Sequence, residues 1–149
     1  MAKSAAAPVA HELSKVLADS YNLYLKTHGY HWNVRGPMFN SLHNMFMTQY
    51  TELWNALDLI AERIRALGEL APMTGSSFGN LSNIGEGDAT LDSDGMIKDL
   101  IASNEALVST IKKALERADE DGDDPTVDLL TQRRNQHEKT LWMLKALLA

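Results

Sequence analysis

His28, His31, His43, Asp58 and Glu62 make up the densest concentration of potential metal ligands in the chain. Imidazole nitrogens and carboxylate oxygens are borderline and hard donors, suited to a hard or borderline cation. Asp58 and Glu62 stand four residues apart, so on a helix both carboxylates project from one face and can converge on one ion. That spacing alone also describes a solvated acidic pair. A buried, hydrogen-bonded histidine is at least as common as a ligand, so His31 and His43 carry the same two readings.

These residues sit in two helices. In the first, over about 8–34, Val9, Leu13, Val16, Ser20, Leu23, Thr27 and Tyr30 recur at threes and fours, with two small polar lapses. Arg35, Gly36 and Pro37 interrupt it, and a second stripe runs from Phe39 through Leu42, Phe46, Leu53, Leu57, Ile60 and Ile64 to Leu67, predicting a helix over about 38–67. So short a turn makes the two helices antiparallel neighbours. His31 and His43 then lie at similar heights on either side of the turn. His43 and Asp58 are fifteen residues apart on one helix, about 22 Å along its axis, and cannot share a metal within one chain. If all four groups belong to one site, a second copy must complete it, with two second helices antiparallel about a two-fold axis near residues 50 to 53.

The periodicity breaks over 69–92, which contains Pro72, Gly75, Gly79, Gly85 and Gly87. A cluster at Phe78, Leu81 and Ile84 predicts one short helical piece within this crossover. Ser93 and Asp94 suit the start of a third long helix, about 93–121, with its stripe at Ile97, Leu100, Asn104, Val108, Ile111 and Leu115. Gly122 closes it. Asp124 and Pro125 open a fourth, about 125–148, through Val127, Leu130, Arg134, His137, Leu141, Leu144 and Leu148. Four helices with one long crossover predict an all-α, ferritin-like four-helix bundle with a short extra helix in the crossover, forming a single domain over 1–149. The usual in-bundle di-iron centre draws on Glu-x-x-His pairs, and none occurs here.

The 149 residues, 44% hydrophobic and 23% charged, suit one soluble domain. No apolar run approaches a membrane span, and residues 1 to 8 are too weakly apolar for a secretory signal, so the expected location is the cytoplasm. The absence of cysteine excludes disulfides and thiol chemistry. A net charge of −6 suits cations better than nucleic acid phosphates.

The run His31-Trp32-Asn33-Val34-Arg35-Gly36, then Phe39, Leu42-His43 and Asp58-Leu59-Ile60-Ala61-Glu62-Arg63-Ile64, resembles the Dps family of mini-ferritins. The motif spans about a third of the chain, and the remaining helices agree in layout. The resemblance implies a twelve-subunit shell with tetrahedral symmetry and ferroxidase centres shared between subunits. His31 and His43 would come from one subunit and Asp58 and Glu62 from its two-fold partner. It also implies ferrous iron as the metal, oxidised preferentially by hydrogen peroxide and stored inside as ferric oxide, which limits oxidative damage to DNA. Trp32 corresponds to a tryptophan beside the centre, an electron donor or a packed aromatic. His28 shares a face with His31 and is a candidate to assist it. The family commonly has Asp or Glu one turn after the second histidine, where this chain has Met47, a poor ligand for oxidised iron. That puts the second metal position in doubt and leaves the first, built by His31, Asp58 and Glu62.

Asp119, Glu120, Asp121, Asp123, Asp124 and Asp128 surround the last turn. Such a run is usually solvated loop and helix cap. In the resembling family this region borders three-fold pores for iron, with Asp124 and Asp128 the preferred candidates here. The chief alternative is a nucleoid-associated DNA-binding protein with weak or no ferroxidase activity. Lys3 is the only basic residue among the first ten and the chain stops at Ala149 without a basic tail, which disfavours direct DNA binding. Two further readings are a structural assembly whose histidines only pack, and copper handling through Met38, Met45 and Met47, which Met packing explains more simply.

Overall fold

The computed structural model describes residues 6–149, leaving Lys3 outside the described residues. Five helices follow in order: α1 (Ala7–Asn33), α2 (Phe39–Ala66), α3 (Gly75–Leu81), α4 (Ser93–Glu120) and α5 (Asp124–Ala146). The four long helices close a ring in which α1 packs on α2 and α4, and α5 on α4 and α2, with α3 laid against α1. This is the ferritin-like bundle, with the short helix inside the crossover between α2 and α4.

Each stripe is buried through most of its length, with Phe39 exposed at the start of α2 and Leu148 exposed beyond the end of α5. Leu13, Val16 and Leu23 of α1, Leu42, Phe46 and Ile60 of α2, Leu100 and Ile111 of α4, and Leu130 and Leu144 of α5 have almost no exposed surface. Each such side chain contributes about 1.5–3 kcal/mol by leaving water, enough to outweigh the polar lapses at Ser20 and Thr27. Thr27 also satisfies its own hydroxyl by donating to the Leu23 carbonyl at 2.7 Å.

Several local expectations shift. The N-cap of α4 is Asp92, accepting from the Gly95 amide, and Ser93 is already helical. The N-cap of α5 is Asp123, accepting from Thr126, one residue earlier than the Asp-Pro pair suggests. Phe39 lies exposed and stacks on the His43 ring with centroids 5.0 Å apart. In α5 the buried cation is Arg133 and not Arg134, because Arg133 finds a carboxylate inside the bundle while Arg134 pairs outside with Glu138.

Several polar groups inside the bundle are paired with one another, while the buried Ser20 hydroxyl is not. Arg133 donates to both oxygens of Glu52, at 2.5 and 2.9 Å, and to Nε2 of His137 at 3.0 Å. His137 Nδ1 in turn donates to the Asn104 side-chain oxygen at 3.0 Å. Asp19, fully buried, accepts from the Ser82 hydroxyl, the Asn83 amide and the Thr110 hydroxyl, fastening the crossover to α1 and α4. Lys26 pairs with Asp99 and donates to Ser103, and Tyr30 donates to Asp99. Burial and the Asp99 acceptor push the Tyr30 phenol above its ordinary pKa.

Candidate metal centre

The turn between α1 and α2 depends on Gly36, whose φ of 109° lies in the region open to glycine, and on Arg35. Arg35 donates to the carbonyls of Leu91 and Thr90, tying the turn to the end of the crossover. This brings the last turn of α1 beside the first turns of α2. His31 and His43 meet there, with ring centroids 3.7 Å apart and planes 13° from parallel.

Their hydrogen bonds are reciprocal. His31 Nδ1 donates to the His43 carbonyl at 2.6 Å, and His43 Nδ1 donates to the His31 carbonyl at 2.7 Å. A carbonyl only accepts, so the proton sits on Nδ1 of each ring, and in the neutral imidazole the lone pair sits on Nε2. This arrangement of a ligand histidine, with one nitrogen held by an acceptor and the other free, fixes ring orientation and tautomer for a metal. His31 is buried and His43 half-buried.

Asp58 and Glu62 lie on exposed surface farther along α2. Neither is brought near His31 or His43, and among the described residues no three His, Asp or Glu side chains converge as a metal site. His43, Met47, Trp54, Asp58 and Glu62 nonetheless share one face of α2, within about a 100° arc. Trp54 and Met47 on that face are 59% and 43% exposed, unusual for large apolar side chains.

Around the histidine pair lies an aromatic cluster. His28 is covered on one face by Tyr50, with centroids 3.8 Å apart, and has Trp32 at 4.3 Å. The Tyr24 hydroxyl is 2.9 Å from His28 Nδ1. Tyr50 meets the His31 ring edge-on at 5.2 Å, and Tyr24 reaches Tyr50 and Trp54 at 6.2 and 5.4 Å. Burial, with a smaller contribution from neighbouring His31, pushes the His28 pKa down, and burial raises that of Tyr24. Trp32 is 62% exposed. The motif reading passes over Tyr24 and Tyr50. Tyr24, His28 and Trp32 at successive spacings of four on one helix face are the signal that marks the first of them.

At the far end of α2, Arg63 donates to Thr126 and to Asp123, 2.7 Å away. Burial opposes ionisation of Asp123, but the Thr126 hydroxyl and amide and the Arg63 cation together hold its pKa below the ordinary value. Asp123 is thereby committed to the helix cap, and Asp121 to Arg117 at 3.5 Å. Asp124 and Asp128 remain exposed, Asp128 accepting from Gln132.

Residues 10–149 match the ferritin family, described as the ferritin-like domain. The chain is 37% identical over 136 residues to DNA protection during starvation protein 2 of Bacillus anthracis, covering 91% of this chain and 93% of that one. Among solved structures, a Dps protein from Bacillus brevis superposes with a TM-score of 0.95 at 34% identity, covering all of both chains. Dps from Staphylococcus aureus gives 0.94 at 30% identity over 99% of each.

Proposed function

Because the chain belongs to the Dps family of ferritin-like proteins, we propose that it is a ferroxidase that stores the iron it oxidises inside a homododecameric shell. Ferrous iron is the substrate. His31 and His43 supply Nε2 lone pairs from one subunit, and Asp58 and Glu62 supply carboxylates from the two-fold partner. Carboxylates stabilise the higher charge of the ferric product better than the imidazoles do, so oxidation is favoured where the two sets meet. Hydrogen peroxide is the preferred oxidant, and Trp32 stands close enough to give up an electron. Consuming iron and peroxide together limits hydroxyl radical damage to DNA without contact with DNA. Asp124 and Asp128 draw cations toward a three-fold pore by their summed negative potential.

One observation carries this reading. The preorganised imidazoles and the exposed carboxylates occupy opposite ends of a single face of α2, about 22 Å apart, with exposed Trp54 and Met47 between them. An antiparallel second copy brings each end level with the other and covers the apolar side chains between. Among the described residues no helix is long and apolar enough to cross a membrane.

The test is complementation. Subunits with His31→Ala and His43→Ala, and subunits with Asp58→Ala and Glu62→Ala, should each fail to accelerate iron oxidation. Co-refolded as an equal mixture, half of the dimers are hybrids with one intact site, so about a quarter of the sites should recover. No recovery in verified mixed assemblies refutes the shared centre.

A further inference from the structure

Peroxide needs two electrons and one ferrous ion supplies one. Where Met47 leaves the second metal position without a carboxylate, single-iron turnover demands another donor. We propose that Tyr24 and His28 form a proton-coupled electron donor for the His31–His43 centre, an inference that rests on the ferroxidase reading above.

The geometry distinguishes Tyr24 from its neighbours. Its hydroxyl lies 2.9 Å from His28 Nδ1, a base that accepts its proton in the tautomer protonated at Nε2. A phenol that can pass its proton along an existing hydrogen bond becomes a neutral radical and avoids a high-energy cation. Among the described residues neither Trp32 nor Trp54 has such a base, and none accepts from the Tyr50 hydroxyl. The path is continuous, from the His31 ring to Tyr50 at 5.2 Å, then from Tyr50 to Tyr24 at 6.2 Å, while Tyr50 stacks on His28.

In the proposed step the ferrous ion gives one electron and Tyr24 the other, and the O–O bond of hydrogen peroxide breaks to give two hydroxides. The iron ends ferric, Tyr24 ends as a neutral radical, and its proton resides on His28. A later ferrous ion returns an electron to Tyr24, which takes its proton back from His28, leaving a second ferric ion.

The experiment is freeze-quench electron paramagnetic resonance of the assembled protein given one ferrous ion per site and then hydrogen peroxide, with and without ring-deuterated tyrosine. A radical whose hyperfine pattern narrows on deuteration is expected. It should be lost in Tyr24→Phe of verified assembly size, with iron oxidation slowed when one ferrous ion is supplied per site. In His28→Leu of verified assembly size, the radical should form on the order of a hundredfold more slowly, as expected when a positioned base is removed. A spectrum insensitive to tyrosine deuteration, or one unchanged in Tyr24→Phe, overturns the donor pair while leaving the ferroxidase intact. Iron oxidation no faster in the native protein than in buffer overturns the ferroxidase reading and the pair with it.

Discussion

His31 and His43 hold one another in place across the α1–α2 turn, each Nδ1 donating to the other residue's backbone carbonyl, at 2.6 and 2.7 Å. The pair is therefore a structural clamp as well as the proposed set of ligands. Replacing His31 by Ala removes one donor and the stacked ring, and should lower stability by about 1–2 kcal/mol as well as stopping iron oxidation. Thermal melts beside oxidation assays check both. A variant that loses activity at unchanged stability would show that the clamp contributes nothing to the fold.

Asp19 accepts three hydrogen bonds from residues 63, 64 and 91 positions away in sequence. Asp19→Ala would orphan the buried Thr110 hydroxyl and remove the acceptor of the half-buried Ser82 hydroxyl and the Asn83 amide, and a loss of about 2–3 kcal/mol is expected. Hydrogen exchange should quicken around Ser82 and Asn83 before anywhere else. Uniform exchange across the chain would contradict the anchoring role.

His137 has its pKa lowered to about 3 by burial and by the neighbouring Arg133. A base depressed in the folded state is neutral there and protonated on unfolding, so the unfolded chain binds the extra proton. Stability is fully present above the ordinary value of 6.5 and is lost as pH falls from there toward 3. At pH 5 the loss amounts to about 2 kcal/mol. His137→Gln should flatten the dependence between pH 7 and 5 in denaturant titrations. An equal slope in both proteins would place the acid sensitivity elsewhere.

Asp124→Asn with Asp128→Asn should slow iron uptake at low ionic strength and leave the melting temperature almost unchanged, since both side chains are exposed. The difference should shrink as salt rises, because screening removes the attraction that these charges supply. A salt-independent defect would speak for direct ligation.

The bundle is legible in the sequence because burial repeats every three or four residues, and most of each stripe, through Leu13, Leu42, Leu100 and Leu130, is buried, while Phe39, Arg134 and Leu148 are not. Polar groups inside it are not legible in the same way. Arg133 and Arg134 look alike in a helical stripe, and only Glu52, 81 residues before Arg133, decides which one turns inward. Asp19 gives no sign of its partners for the same reason. The motif around His31 and His43 brought out two imidazoles that do come together. It passed over Tyr24, whose role depends on a ring-to-ring geometry that spacing hints at and only the packed helices define.

The distance between the two ends of the exposed α2 face has a consequence for the newly made chain. Alone, it carries a poised imidazole pair and, about 22 Å away, carboxylates that cannot reach it. Under the shared-site reading, dilution is an off switch. Oxidation begins only once subunits are abundant enough to associate, so the reaction starts where a container for its insoluble product is already being built.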